Sequence, residues 1–104
     1  MGRPSLAAGS VRLFYVAGVC GIPPTARSIS ANVTVVQPRV DGYLSIFPGD
    51  VSPPATSTIN FKNGKTRANN LVVALSSDGR SSLAILDGSF RDVDVILDVS
   101  GYFK

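Results

Sequence analysis

The chain has no histidine, no glutamate and no tryptophan, and only one cysteine, one methionine and one glutamine among its 104 residues. Without histidine, the usual general base at neutral pH, the His-containing nucleophile triads and the common zinc sets are all excluded. A single cysteine excludes an internal disulfide. Cys20, in AGVCGIPP, reads as a small apolar residue at a loop edge, with an intermolecular disulfide or a reactive thiol as the alternatives. The thiol count leaves the redox compartment open. No apolar run approaches the ~18 residues of a membrane-spanning helix, so no membrane insertion is expected. The opening MGRPSLAAGS carries an arginine but no long apolar stretch behind it, unlike a secretory signal, and Leu6 stands where myristoylation would need Ser or Thr. Export would have to be directed from outside this sequence.

What is abundant points one way. Valine and serine are the commonest residues, glycine and proline are plentiful, and Glu, Gln, Met and Lys together number only five, a balance that suits strands and turns. Hydrophobic residues make up 44% of the chain, enough to build a packed core and too many for disorder. The length predicts one domain, residues 1–104. Ten Lys and Arg against seven Asp give a net charge of +3, spread without a run, which reads as a solvated surface. Weak attraction to acidic glycans or nucleic acid would follow from it, but a phosphate-tracking stripe is not present and nucleic acid is not the expected partner.

Turn signals recur at short intervals: AGVCGIPP, QPRVDG, PGDVSPP, KNGK, SSDGR and LDGSFRD. The runs between them predict strands near 10–17, 28–37, 42–47, 57–62, 67–76, 81–87 and 92–103, and no helix. The expected fold is therefore all-β, a single β-sandwich, Ig-like or jelly-roll-like, of about seven antiparallel strands. Alternation places Ile29, Ala31, Val33 and Val35 on one face of the second strand, and Val93, Val95, Leu97 and Val99 on one face of the last. Asp98 then points away from the main core. KNGK and SSDGR predict hairpins that would make the C-terminal half a meander. FPGDVSPPATST reads as a stiff crossover between sheets, its prolines keeping an edge from pairing with other chains.

Few groups could carry chemistry. Asp87, Asp92, Asp94 and Asp98 form the densest acidic cluster, but Asp94 and Asp98 lie about 13 Å apart along a strand, too far for one metal. The spacing also misses the EF-hand loop, which leaves Asp87, Asp92 and Asp94 as weak calcium candidates and no other cofactor. Nothing specifies the cleft a glycosidase dyad needs, and no enzyme is expected. Asn32, Asn60, Asn69 and Asn70 read as amides that satisfy backbone groups where strands bend or crossovers arrive; NVT at 32–34 matches a glycosylation acceptor, though mid-strand. In GYLSIFP, Tyr43 and Phe47 alternate against Leu44 and Ile46. They would form a two-ring outer patch that stacks sugars, buries against another subunit or is capped by a loop.

The ordered segments GSVRLFYVAGVCGIPPTARSISANVTVVQP, DGYLSIFP, TSTINF, GKTRANNLVV and VDVILDVSGYF resemble a module repeated in large secreted and cell-wall-associated proteins of actinobacteria and related bacteria. The resemblance spans residues 9–103 and falls on Gly18, Gly21, Asn32, Thr34, Leu44, Pro48, Asn60, Phe61, Asn69, Asp98, Tyr102 and Phe103, among others. Leu97 and Ile59 replace the usual residues, Asn70 shifts the local spacing, and an expected first strand is missing. The resemblance implies a non-catalytic module in an extracellular or cell-wall-associated setting. In that setting Asp98 is expected to be a bonded scaffold carboxylate, worth about 2–4 kcal/mol, with Tyr102 and Phe103 pinning the chain end.

These observations lead first to an accessory module that binds carbohydrate or another cell-surface polymer through Tyr43, Phe47, Arg67 and Asn69, with Asn32, Asn60, Asp98 and Tyr102 as structural polar groups. The alternative is a structural, self-associating spacer that forms a homo-oligomer through an open sheet edge or the outer aromatic patch.

Overall fold

Residues whose side chains alternate between apolar and small polar can bury one face only, and here they form two sheets that bury those faces against each other. The computed structural model describes residues 6–16, 21–23, 25–52, 58–78 and 81–103. Its strands are β1 (Val11–Tyr15), β2 (Ser28–Val36), β3 (Gly42–Pro48), β4 (Ile59–Phe61), β5 (Arg67–Ala74), β6 (Ser82–Asp87) and β7 (Asp94–Phe103). One sheet has the order β1-β6-β3-β4, the other β5-β2-β7, and every pairing is antiparallel. The all-β sandwich of seven strands expected from the alternation is the fold observed.

The core lies where the period-2 pattern places it. Ile29, Ala31, Val33 and Val35 of β2, with Val93, Val95 and Leu97 at β7, are buried against Phe14, Leu44, Ile59, Leu83 and Ile85 of the facing sheet. Ser28, Ser30, Asn32 and Thr34, on the other side of β2, are half-buried. The β2–β5 ladder runs without a break from Ser28 opposite Ala74 to Val35 opposite Arg67, so Asn70 causes no slip.

The connections differ from the hairpins expected. β4 and β5 flank KNGK but belong to different sheets, as do β5 and β6 on either side of SSDGR. KNGK does turn, with Lys65 N–H donating to Lys62 O at 3.0 Å and Gly64 at φ 76°, but the chain arches across the sandwich. The β5–β6 connection is held by buried serines: Ser76 N–H donates to Ser82 O at 2.8 Å, and Ser82 N–H to Ser76 Oγ at 3.0 Å. Turn chemistry specifies a local reversal; which strand is paired depends on apolar faces that only distant segments can cover. Conversely, FPGDVSPPATST does not cross between sheets, because β3 and β4 pair directly, Leu44 opposite Ile59. Pro53 and Pro54, whose edge-protecting role was expected from sequence, lie outside the described residues, as does Cys20.

One irregularity re-aims side chains. Opposite Ser30 and Ala31 of β2 stand Gly101 and Val99, so Ser100 is an extra residue in β7. Its hydroxyl donates to Ser30 O at 3.1 Å and lies 2.9 Å from Ser30 Oγ. Beyond this bulge the alternation inverts, and Tyr102 rather than Gly101 comes to stand opposite the buried Ile29.

Candidate interaction surface

The two rings form no exposed patch; the covered alternative is the one observed for Phe47. Phe47 is only 5% exposed, while Tyr43 is 38% exposed and lies over Gly88, where a Cβ would fall inside its ring. Ser45, between them on the same side of β3, is fully buried, as is Ala84, the β6 partner of Phe47. Alternation tells which side of a strand a residue is on but not whether that side is covered, and here this part of the outer side is covered.

Arg67 and Asn69 come together with Asn60 along an open groove of about 270 Å³ between β4 and β5. By register Arg67 stands beside Val35 and Asn69 beside Val33, on the inward side of β5, yet both are exposed. A β4 of three residues is too short to cover that half of β5. Asn32 forms a row on the outer face of the other sheet, with Asn70 on one side and Asp98 on the other.

Asp98 is exposed, and no hydrogen bond reaches its carboxylate among the described residues, so it is not the buried, bonded scaffold group expected. Tyr102 and Phe103 are exposed as well; the chain end is held by its backbone, Arg27 N–H donating to Phe103 O at 2.8 Å. The buried carboxylate is Asp87, on the core side of β6 opposite Leu44, with no exposed surface. Burial pushes its pKa above the ordinary value; the Ser89 hydroxyl and amide N–H, both donating to Oδ1, oppose the shift, and the charge of Asp92 adds to it. Its Oδ2 has no hydrogen-bond partner among the described residues.

The three calcium candidates do not converge. Asp87 is internal, Asp92 Oδ1 accepts Ala8 N–H at 3.0 Å, and Asp94 is exposed at the start of β7. Among the described residues no three acidic or cysteine side chains are arranged to hold a metal. Loop aspartates instead tie distant loops together: Asp41 accepts from Asn63 N–H at 2.8 Å, and Asp50 accepts from the N–H and hydroxyl of Ser77. An open cleft of about 450 Å³ beside Arg39, Arg91, Asp92 and Asp94 is bordered by Phe90, which is 94% exposed.

A feature the sequence reading did not single out is β1. Among the described residues it is an edge strand, paired only with β6. Phe14 is buried on its core side, with the Arg12 guanidinium 5.0 Å above that ring. On the outer side Val11, Leu13 and Tyr15 are 46%, 43% and 48% exposed, a row of three apolar side chains on one strand. The alternation in VRLFY carries this signal, but it becomes visible only when the position of β1 at the sheet edge is known.

Searched by sequence, the chain matches no family model and no curated protein. Its fold does have counterparts. The structure of the tobacco streak virus coat protein dimer matches with a TM-score of 0.59 at 16% identity, over 100% of this chain and 83% of that one. A second crystal structure of the same coat protein matches with a TM-score of 0.51 at 20% identity, over 95% of this chain and 78% of the other. The expectation of a carbohydrate-binding module is thereby corrected: its exposed aromatic platform is absent, and these two matching structures are of a coat protein, one of them a dimer. At the level of fold, this chain is a jelly-roll-like β-sandwich similar to the coat protein of tobacco streak virus.

Proposed function

We propose that the chain is a non-catalytic structural module whose role is to associate with copies of itself. The observation that carries this is the outer row Val11, Leu13 and Tyr15 on a sheet edge that is unpaired among the described residues. Apolar side chains at an open edge favour burial against another chain, because main-chain groups and side chains gain partners together. The likeness to a coat protein crystallised as a dimer supports the same reading. The absence of histidine from the sequence and the internal position of Asp87, which borders neither the Arg67 groove nor the Phe90 cleft, support a module without catalysis. The resemblance to repeated cell-wall modules supports an extracellular setting, where a spacer built from associating units would act.

Light scattering across a concentration series tests it. A mass that rises from one chain towards an integral multiple as concentration increases is the expected result. One-chain mass up to about 1 mM, a concentration at which even a millimolar interface is half-populated, would remove the self-associating role.

A further inference from the structure

From the β1 edge we infer a specific partner and register, a proposal that rests on the self-associating role: a second copy pairs antiparallel through β1, about a two-fold axis at Leu13, joining two four-stranded sheets into one of eight.

Four strands lie at sheet edges, and three are poorly suited to pairing. β4 is three residues long; β5 presents Arg67, Asn69 and Asn70; β7 carries Asp94 and Asp98 and is interrupted by the bulge at Ser100. β1 has five residues in an unbroken register, and its exposed outer side chains are all apolar.

The hydrogen-bond parity of β1 assigns its free groups. Asp87 N–H donates to Ser10 O at 2.9 Å and Val16 N–H to Ser81 O at 3.1 Å, so the even-numbered residues direct their main-chain groups to β6. In an antiparallel ladder the residues between them point the other way. Val11, Leu13 and Tyr15 therefore turn both their main-chain N–H and C=O to the open edge and their apolar side chains to the exposed face.

A two-fold at Leu13 satisfies these groups with no unfavourable opposition. Val11 faces the partner's Tyr15, Leu13 faces the partner's Leu13, and about six main-chain hydrogen bonds form. The apolar row Phe47, Ala84, Leu13 continues across the axis into its own copy. On the other face Arg12 stands opposite the partner's Phe14, not opposite another arginine, repeating the contact it makes at 5.0 Å within its own chain. Five residues a side bury less than the ~1,000 Å² of a permanent interface, so the dimer is reversible and concentration-dependent.

Only a residue on the axis meets itself, which makes Leu13 the test position. Leu13→Lys and Leu13→Glu each place like charges opposite one another, and each is expected to weaken association at least about tenfold, with circular dichroism unchanged because Leu13 is exposed. Mixing the two variants should restore the dimer mass, now as a heterodimer. Leu13→Pro is a second probe: it removes an N–H that β6 does not use, so it should fold and remain monomeric. A wild-type dimer whose Lys and Glu variants stay apart when mixed would overturn the two-fold at Leu13. Variants that dimerise like wild type would overturn the β1 edge altogether while leaving self-association standing. Wild type that is one chain at every concentration would overturn both.

Discussion

Burying a carboxylate costs far more than exposing one, so Asp87 and Asp98 respond in opposite ways to replacement. Asp87 is internal, with Oδ2 unpartnered among the described residues and a pKa raised by burial. Because the folded-state value lies above the unfolded one, the native state holds the proton more tightly. The stability this group contributes is fully present below the unfolded pKa and is lost as pH rises through the folded one. Asp87→Asn keeps an acceptor for Ser89 and removes the charge. Its urea midpoint should equal or exceed that of wild type near pH 7, and should fall less between about pH 4 and pH 7. A midpoint well below wild type at pH 7 would mean that the ionised carboxylate is used. Asp98→Ala, at an exposed site, should change stability by no more than about 0.5 kcal/mol in the same assay. The aromatics divide likewise: Phe47→Ala should cost about 3–5 kcal/mol and Tyr43→Ala about 1 kcal/mol, because only Phe47 leaves a cavity. Equal costs would restore the pair as a unit.

Strand positions were legible because period-2 alternation is a local property: the predicted 28–37, 67–76 and 92–103 are observed as Ser28–Val36, Arg67–Ala74 and Asp94–Phe103. The buried faces of β2 and β7 were legible for the same reason. The bulge at Ser100 was not, since nothing in DVSGYF distinguishes an extra residue from a paired one until β2 is laid beside it. Turns were located correctly and connected wrongly. Gly64 shows the part that was sound: with φ at 76° and nothing within 4 Å of an added Cβ, Gly64→Ala meets only conformational cost. A loss of about 1 kcal/mol by thermal or urea unfolding is expected, and no loss would mean that the turn relaxes freely.

For the molecule as a whole, pairing is mostly non-local. β2 lies between β5 and β7, and β1 waits for β6; among the described strands only β3 and β4 are neighbours in both chain and sheet. Long loops must close before those contacts form, so refolding should take milliseconds to seconds, measured by stopped-flow tyrosine fluorescence or circular dichroism. A microsecond phase that restores all the signal would contradict this topology. The same arrangement leaves β1 outermost with its apolar row uncovered, and that property of the assembled sheet carries the case for association.

By itself the sequence determined the all-β class, the strand positions, the faces of β2 and of β7 before the bulge, and the absence of histidine chemistry, because each follows from composition or from spacing within a few residues. Tertiary structure alone decided that Phe47 is covered and Phe90 is not, that Asp87 rather than Asp98 is the buried carboxylate, and that β1 forms an open edge. Burial and edge position are set by which distant strand arrives on each side, and no local spacing encodes that arrival.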